Sequence, residues 1–290
     1  MPMTRRSFLQ HSATAAVALT VAPSLLADPL GLPIGCQTYP VRASINTDFA
    51  GTMKGLSAAG FQTIELCSPF GYKDFSSLAQ YKPQDLRKML SDYGLTCISA
   101  HFGTGELFNQ AEERIAWAKE FGLTQMATAS LGFGTLRKGV PPTVDDVNRI
   151  TDLFNTFAAK AHDAGIVAVL HNEGFETTSI DGKRVYDMEI ERLDPKTVKL
   201  QFQVSTLQSG FDPVDYFARY PDRYISMHCQ DWIIGSDGKA KEVPLGKGVV
   251  DWKKVFTAAK KAHIKNYFVE LEQDPTLMPP SIPYLKSLKV

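Results

Sequence analysis

Short runs of apolar and β-branched residues alternate along the chain with stretches in which apolar residues recur at helical spacing. A run that is apolar throughout is typical of a strand covered on both faces, as in a parallel sheet. Eight such runs, mostly separated by predicted helices, are the pattern of an α/β protein with a single-domain (β/α)8 barrel, the TIM barrel. The predicted strands are Ile34–Tyr39, Thr63–Cys67, Thr96–Phe102, Gln125–Leu131, Ile166–Leu170, Val198–Val204, Tyr224–Met227 and Asn266–Leu271.

The stretches between these runs carry helix start and stop signals of their own. A glycine lies at or just after the end of each predicted helix, where a left-handed residue commonly closes the last turn. The segment from Phe175 to Leu193 interrupts the alternation and is predicted to form a small hairpin or lid with a turn at Asp181-Gly182. The predicted helices are Phe49–Gly60, Pro83–Tyr93, Asn109–Phe121 and Thr143–Gly165.

The first 27 residues differ in composition from the rest of the chain. An Arg5-Arg6 pair precedes an Ala-rich run that ends near Ala27 and is too short and too weakly apolar for a membrane span. This pattern predicts a twin-arginine export signal over residues 1–27 and a periplasmic or otherwise exported barrel over residues 28–290. The alternative is a chance Arg-Arg pair ahead of an Ala-rich helix.

Composition and charge are those of an ordinary globular protein, and they limit the classes of partner that it can bind. Hydrophobic residues make up 44% of the chain and charged residues 21%. Lys plus Arg and Asp plus Glu number 31 each, so the whole protein has no field that attracts nucleic acid or an anionic membrane. We therefore expect a small-molecule partner and no nucleic acid, while a homo-oligomer stays open.

Four cysteines each lie within or at the end of a strand-like run, and none belongs to a C-x-x-C pair. This placement predicts buried structural thiols. A disulfide stays open as an alternative because the periplasm is oxidising. The residues are Cys36, Cys67, Cys97 and Cys229.

Polar residues stand at the carboxyl ends of the predicted strands, where a barrel builds its active site. In chain order they are Gln37, Glu65, His101, Ser130, His171, Gln203, His228 and Glu270. The last four come from strands 5 to 8, which a barrel places side by side. Two imidazoles, an amide and a carboxylate on one arc predict a site for one divalent cation with positions left for substrate.

Several of these residues also have a purely structural interpretation. A single strand-end histidine such as His101 is commonly a hydrogen-bonded rim residue, and Glu65 can form an ion pair with Arg42. Glu270 favours function more strongly, because a carboxylate leaving a core strand is costly unless it is paired or coordinated. Lys247, in the loop after strand 7, is a candidate ligand contact, although capping and turn formation explain most of that loop.

A series of short motifs runs in order from about residue 34 to residue 275. They are Gln37-x-Tyr39-x-x-Arg42, Ser99-Ala-His101, His171-Asn172-Glu173 with Phe175-Glu176, Tyr220-Pro-x-Arg223 with His228 and Asp231-Trp232, Gly246-x-Gly248-x-x-Asp251-Trp252, and Val269-Glu270. Together they resemble the sugar phosphate isomerase/epimerase family. The resemblance implies the xylose isomerase-like TIM barrel fold and an activity on sugars.

The same resemblance implies a divalent metal at the ends of strands 5 to 8, typically held by Glu, Asp, His and Glu. His228 and Glu270 match the last two ligands. His171 stands where many members have Glu, and Gln203 stands where the family usually has Asp. The implied ligands are therefore these four residues, with Mn, Zn, Co or Mg as the metal.

The first functional hypothesis is an isomerase, epimerase or lyase that acts on a ketose or keto-sugar by metal-assisted proton abstraction next to a carbonyl. Glu270 is the candidate base, with Glu176 or His171 on the opposite face of the substrate. Export and the scarcity of Lys and Arg at the mouth favour an unphosphorylated sugar. The candidate substrate-binding residues are Gln37, Glu65, His101, Glu173, Trp232 (as an apolar wall) and Lys247.

The second hypothesis is a non-catalytic periplasmic sugar-binding barrel that has lost a working metal site. Gln203 motivates it, because a neutral amide is a weaker ligand than the carboxylate it replaces. A DNA-repair endonuclease on the same fold is disfavoured by the even charge balance, by the export signal and by too few acidic and histidine strand ends for a multi-metal cluster.

Overall fold

The computed structural model describes residues 29–290, so the predicted export signal lies outside the described residues. Eight parallel strands close into a barrel in the order β1-β12-β9-β8-β5-β4-β3-β2. This confirms the predicted (β/α)8 fold. The barrel strands are β1 Gly35–Gln37, β2 Thr63–Cys67, β3 Thr96–His101, β4 Gln125–Thr128, β5 Val167–His171, β8 Val198–Gln203, β9 Tyr224–Cys229 and β12 Asn266–Val269.

Helices cover the outside of the barrel and pack their apolar faces against it. Short 3₁₀ turns follow several strands, and the remaining four strands form two hairpins outside the barrel, β6 Ser179–Ile180 with β7 Lys183–Arg184 and β10 Asp231–Ile234 with β11 Ala240–Val243. The helices are α1 Arg42–Thr47, α2 Phe49–Ala59, α3 Pro83–Asp92, α4 Thr104–Asn109, α5 Ala111–Phe121, α6 Val144–Asp163, α7 Val185–Arg192, α8 Pro213–Arg219, α9 Trp252–Lys261 and α10 Ser281–Ser287. No helix in this part of the chain is long and apolar enough to cross a membrane.

Strand register sets the height of the polar side chains inside the barrel. Gln37 pairs with Glu65, and Glu65 pairs with Ser99, so three polar residues from β1, β2 and β3 lie at one level. On the other side, Gln203 of β8 pairs with His228 of β9. Because β9 runs on to Cys229, beyond its predicted end at Met227, His228 lies within the strand wall instead of in a loop.

The segment from Phe175 to Leu193 contains the expected hairpin and, beyond it, a helix that was not predicted. Asp181 and Gly182 both have positive φ, 50° and 76°, as a two-residue hairpin turn between β6 and β7 requires. The chain then forms α7, which packs against α6 and is the helix that connects strand β5 to strand β8. The segment is therefore part of the barrel's helical layer as well as a local insertion.

All four cysteines are buried as free thiols, as predicted, and no disulfide joins them within residues 29–290. Burial raises the pKa of each thiol; that of Cys97 rises to about 12. Thiols with raised pKa values are poor nucleophiles and poor metal ligands. These side chains therefore act as core residues.

The loop between β11 and α9 is held in place by one buried carboxylate. Asp231 accepts hydrogen bonds from the backbone N–H groups of Gly246, Gly248 and Val250 and from Nε1 of Trp252, at 2.9 to 3.2 Å. Asp231 is fully buried, so each of these bonds replaces hydration that the carboxylate has lost. The backbone N–H groups of the Gly-x-Gly motif in this loop thus bind the carboxylate of Asp231, an anion of the protein itself.

Replacing Gly248 with alanine is expected to destabilise the protein. A Cβ at this position would lie 2.2 Å from Oδ1 of Asp231 and 2.4 Å from the carbonyl oxygen of Trp232, so the carboxylate or the loop has to move. Overpacking of this kind costs about 1–3 kcal/mol, measured as the loss in urea-denaturation free energy. Gly55→Ala is the control, because a Cβ added there would have no atom of residues 29–290 within 4 Å beyond its own stretch of helix, and alanine stabilises helix α2 slightly. Equal stabilities of the two variants would contradict the role given to Asp231.

Candidate functional site

A cavity of about 340 Å³ opens at the carboxyl ends of the barrel strands. Its volume is near the lower end of the range for small-molecule pockets. A larger groove of about 530 Å³ lies outside the barrel between α8 and α9, and none of the candidate residues lines it. The mouth cavity is lined by Gln37, Tyr39, Cys67, Tyr72, His101, Ala129, Phe133, His171, Glu173, Glu270 and Glu272.

A buried imidazole joins two carboxylates at the floor of this cavity. Nε2 of His228 lies 2.5 Å from Oε2 of Glu65, and its Nδ1 lies 3.0 Å from Oε2 of Glu270. All three side chains are almost fully buried. Glu270 also accepts a hydrogen bond from Nε2 of Gln203 at 2.7 Å. The chain Glu65–His228–Glu270 therefore leads from the barrel interior to the cavity wall.

Glu65 is the most heavily hydrogen-bonded group of the site. Its carboxylate accepts from Nε2 of Gln37 at 2.9 Å, from Oγ of Ser99 at 2.6 Å and from Nε2 of Gln201 at 2.9 Å. Nε2 of His101 lies 3.2 Å from the same carboxylate and donates to Oε1 of Gln201 at 2.8 Å. Every lone pair of Glu65 thus faces a donor, as a fully buried carboxylate requires.

Gln201 was not predicted as a site residue, although the sequence contained a signal for it. Side chains alternate across a strand, so a residue two positions from Gln203 on β8 faces the same side. Gln203 ends the strand, and Gln201 sits one step deeper in the barrel, where it joins His101 to Glu65. Its role is to hold both groups in place.

The charges of the network follow from its contacts. Burial alone would raise the pKa of Glu65, but His101 and His228 lower it well below its usual range. Burial opposes the charge on His228, yet Glu270 and Glu65 raise its pKa to about 10, so without a metal it is an imidazolium that donates from both nitrogens. Burial and the two neighbouring imidazoles hold the pKa of His171 well below its ordinary value, which keeps that ring neutral.

The donor set at the floor fits a divalent cation. Ring nitrogens of His101, His171 and His228 lie within 4.8 Å of one another. Nδ1 of His171 and Oε1 of Gln203 are buried, and neither has a hydrogen-bond partner among the residues described. A neutral imidazole nitrogen and an amide oxygen left unpaired beside Glu270 are atoms that a metal ion can satisfy.

The structure gathers most of the predicted residues at this one place. Gln37, His101, His171, Glu173 and Glu270 line the cavity. Glu65, Gln203 and His228 lie directly behind them in the hydrogen-bonded network. The alternative ion pair between Glu65 and Arg42 is not formed, since Arg42 stacks on Tyr39, with its guanidinium carbon 4.2 Å from the ring centre, and lies 3.7 Å from Asp74.

Trp232 and Lys247 do not line the mouth cavity in the described part of the chain. Trp232 is buried on the β10–β11 hairpin, where its carbonyl accepts the N–H of Val249. Lys247 is exposed on the loop that Asp231 holds. The apolar wall expected from Trp232 is formed instead by Tyr39, Tyr72 and Phe133.

Glu176 is not among the described residues that line the cavity either. It is fully buried, and its Oε1 accepts the backbone N–H of Leu131 at 2.7 Å, which ties the segment after β5 to the loop after β4. Burial raises its pKa to about 8, so the carboxyl is protonated at neutral pH. Its placement corrects the expectation that Glu176 reaches the substrate; Glu173 is the carboxyl of this segment that lines the cavity.

Glu176→Gln is expected to change how stability depends on pH. In the unfolded chain the carboxyl ionises near 4.5, whereas the folded protein keeps the proton up to about pH 8, so the wild type loses stability as the pH rises through this window. The variant has no proton to lose. We expect it to gain about 3 kcal/mol relative to wild type between pH 5 and pH 8 in urea-denaturation measurements. Parallel pH profiles would show that the carboxyl ionises freely in the folded state.

The cavity wall is acidic. Glu173, Glu270 and Glu272 line it, and the described lining residues include no Lys or Arg. Burial, reinforced by Glu270, raises the pKa of Glu173 and brings that of Glu272 to about 7. Such a wall repels phosphate and carboxylate groups and suits neutral hydroxyls, which carboxylates bind by accepting hydrogen bonds.

Fold and site together define a parallel (β/α)8 barrel. The cavity at the carboxyl ends of its strands contains polar groups that can bind a cation. The family model for the xylose isomerase-like TIM barrel matches residues 54–288, and the chain belongs to that family. The structural neighbours include proteins named sugar phosphate isomerase/epimerase, in agreement with the resemblance of the motifs.

Two sequence relatives are named inosose dehydratase. The protein from Lacticaseibacillus casei is 27% identical over 269 residues, which cover 79% of this chain and 87% of the relative. The protein from Geobacillus thermodenitrificans is 29% identical over 153 residues, and this match spans 47% of the chain and 48% of the relative, about half of its length.

Solved structures support the fold. A sugar phosphate isomerase/epimerase from Parabacteroides distasonis superposes with a TM-score of 0.71 at 22% identity, covering 88% of this chain and 93% of that one. A probable 3-DHS dehydratase, AsbF, from Bacillus anthracis gives 0.65 at 14% identity, covering 88% and 98%. The expectation of an enzyme from a sugar-modifying family is confirmed at this level.

Proposed function

We propose that the protein is an isomerase, epimerase or lyase that removes a proton next to the carbonyl of a neutral ketose or keto-sugar. The observation that carries this proposal is the Glu65–His228–Glu270 chain. It ends at the wall of a cavity that has acidic groups and, among residues 29–290, no lining Lys or Arg. The naming of two relatives as inosose dehydratase supports an elimination as one form of the reaction.

Glu270 is the base in this proposal. Burial raises its pKa, but His228 and the amide of Gln203 lower it below its ordinary value, so the carboxylate is ionised. Both hydrogen bonds use Oε2, which leaves Oε1 to take the proton from the substrate carbon. The imidazolium of His228, held by Glu65, keeps the carboxylate oriented and stabilises its charge before the transfer.

A second group, on another part of the cavity wall, donates a proton to complete the reaction. Glu173 and Glu272 line the cavity with raised pKa values, so each holds a proton closer to neutral pH than an ordinary carboxyl does. Either can protonate the adjacent carbon in an isomerisation or a leaving hydroxyl in an elimination. His171, neutral and buried at the cavity wall, orients the substrate or takes part in cation binding.

His171, Gln203, His228 and Glu270 are the residues that would hold a divalent metal. His228 would give up its Nδ1 proton to bind it, so the cation would replace the imidazolium charge beside Glu270. A cation bound there would supply polarisation of the substrate carbonyl. The unpaired Nδ1 of His171 and Oε1 of Gln203 are the observation that supports this assignment. We also propose that the protein is exported, on the basis of the Arg5-Arg6 pattern.

The test is proton exchange and turnover with a panel of keto-sugars in D₂O, followed by NMR. Inosose, D-psicose and D-fructose represent neutral substrates, and fructose 6-phosphate is the anionic control. We expect deuterium at the carbon next to the carbonyl, or loss of water, with at least one neutral compound and none with the phosphate ester. Turnover of the phosphate ester alone would overturn the proposed substrate class.

A non-catalytic sugar-binding barrel is the second candidate, favoured by the neutral amide of Gln203 in the donor set. It predicts that neutral sugars raise the melting temperature without exchange or turnover, with and without added metal. The same panel therefore separates the two functions.

A further inference from the structure

We infer that the proposed cation site selects borderline transition-metal ions such as Zn²⁺ and Co²⁺ over Mg²⁺ and Ca²⁺, and that His171 and Gln203 determine this selectivity. The inference concerns the same site as the proposed function and deepens it. It rests on the chemical nature of the donors that the barrel brings together, and it is tested by metal binding rather than by turnover.

Two of the four proposed donors are imidazole nitrogens, those of His171 and His228, and they lie in a cluster of three histidines. Three buried imidazoles, those of His101, His171 and His228, have ring nitrogens within 4.8 Å of one another. Nδ1 of His171 is buried without a hydrogen-bond partner in the described chain, so its lone pair is free. Imidazole nitrogen suits Zn²⁺, Co²⁺ and related ions, whereas Mg²⁺ and Ca²⁺ require several oxygen ligands.

Carboxylate oxygen is scarce at the floor of the site. In the described part of the chain, Glu270 is the carboxylate that hydrogen-bonds to both Gln203 and His228. Glu65 lies nearby, but its oxygens already accept from Gln37, Ser99, Gln201 and His228. A cation at the floor therefore meets one carboxylate and a neutral amide oxygen, too little negative charge to strip water from a hard ion.

The surrounding residues fix these donors in place. Oδ1 of Asn172 accepts the backbone N–H of Gln203 at 2.6 Å, and Nδ2 of Asn172 donates to Thr206, whose hydroxyl donates to the carbonyl of Gln203 at 2.7 Å. Nε2 of His228 is directed at Glu65, which leaves Nδ1 facing Glu270 and Gln203. A carboxylate behind a histidine is the arrangement that orients imidazole ligands of metals.

The experiment is a direct titration of EDTA-treated full-length protein with ZnCl₂, CoCl₂, MnCl₂, MgCl₂ and CaCl₂. Isothermal calorimetry gives affinity and stoichiometry, and the visible spectrum of the cobalt form reports nitrogen ligation. We expect one Zn²⁺ or Co²⁺ per chain, bound at least about 100-fold more tightly than Mg²⁺ or Ca²⁺. Equal or tighter binding of Mg²⁺, or no binding of Zn²⁺, would overturn the inference.

Variants separate this site from adventitious zinc binding. His171→Ala and Gln203→Ala are expected to weaken Zn²⁺ binding by at least about 10-fold. His263→Ala is the matched control, because His263 is an exposed histidine paired with Asp222 at the opposite end of the barrel, and its loss should leave the titration unchanged. Unchanged Zn²⁺ affinity in His171→Ala and Gln203→Ala would place the ion elsewhere.

A gain of function completes the test. Gln203→Glu keeps the shape of the side chain and adds a carboxylate beside Glu270, so the ratio of Mg²⁺ or Mn²⁺ affinity to Zn²⁺ affinity should rise. Melting curves with and without each metal check folding independently. A ratio no different from wild type counts against Gln203 as a determinant. A protein that binds Zn²⁺ but converts no keto-sugar would contradict the proposed function and support this inference. Turnover without metal, in a protein that does not bind Zn²⁺, would support the proposed function and contradict this inference.

Discussion

Glu270→Gln is expected to lower the rate of proton exchange and turnover by about 10²–10⁴-fold, the usual contribution of a general base. The amide has the shape of the carboxylate and can still accept from Nδ1 of His228 or Nε2 of Gln203, but it cannot take a proton from carbon. With the metal ion at saturating concentration, substrate affinity should change little, because the cavity wall keeps its shape. The loss should therefore appear in kcat, with KM within a few-fold of wild type.

The exchange rate in D₂O is the most direct measurement of this effect, since it reports proton removal even when product release limits turnover. Glu120→Gln, an exposed carboxylate on helix α5, serves as the control for the loss of one negative charge. If Glu270→Gln exchanged as fast as Glu120→Gln, the base would have to be another lining carboxylate, and Glu173 and Glu272 would be the next to test.

The sequence predicted the barrel well because its signal is repeated. Eight apolar runs with helices between them leave few other ways to bury both faces of a parallel sheet. The prediction made two small errors. It ended strand β9 at Met227, whereas the strand continues to Cys229, and it missed helix α7, which follows the predicted hairpin. Such errors are local, because a closed barrel fixes the order of its strands whatever their lengths.

The site was predicted where strands supply the residues and poorly where loops do. His171, Gln203, His228 and Glu270 come from four adjacent strands, and the barrel closure alone brings them together. Trp232 lies on a hairpin, and its direction is set by contacts across many residues that no local pattern reveals. Polar character in a loop therefore indicates little about which way its side chains face.

Lys247 and Glu176 illustrate two causes of such errors. The loop of Lys247 is held by Asp231, whose deep burial and five hydrogen bonds are visible only once β10 and α9 are in place. Glu176 resembles a site acid by sequence, yet it is buried against Leu131. An acidic residue close to a strand end can therefore hydrogen-bond to a neighbouring loop instead of contacting the substrate.

The network behind the cavity is what the structure adds to the sequence. Glu65 and His228 are far apart along the chain, yet they form the most buried ion pair of the site, and Gln201 links them to His101. This arrangement gives Glu270 a fixed positive neighbour, although no lysine or arginine of residues 29–290 lines the cavity. The proposed base is thus kept ionised from inside the barrel while the cavity keeps its acidic wall.

Glu65→Gln is expected to be the most destabilising conservative substitution at the site, by about 3–5 kcal/mol, the cost of breaking a buried ion pair from one side. The carboxylate accepts on both oxygens, from Ser99 and Gln201 on one and from Gln37 and His228 on the other. Whichever way the amide is turned, its NH₂ group faces two donors. The His228 imidazolium also loses one of its two carboxylate partners.

Urea denaturation of the metal-free protein at neutral pH measures this loss without interference from a bound ion. Glu173→Gln is the matched control, since Glu173 lies on the same cavity but is only partly buried and its substitution breaks no buried ion pair of the described network. We expect that variant to stay within about 1 kcal/mol of wild type. A Glu65→Gln protein as stable as the Glu173→Gln protein would mean that His228 is neutral in the folded state. The proposal that a buried imidazolium keeps Glu270 ionised would then have to be abandoned.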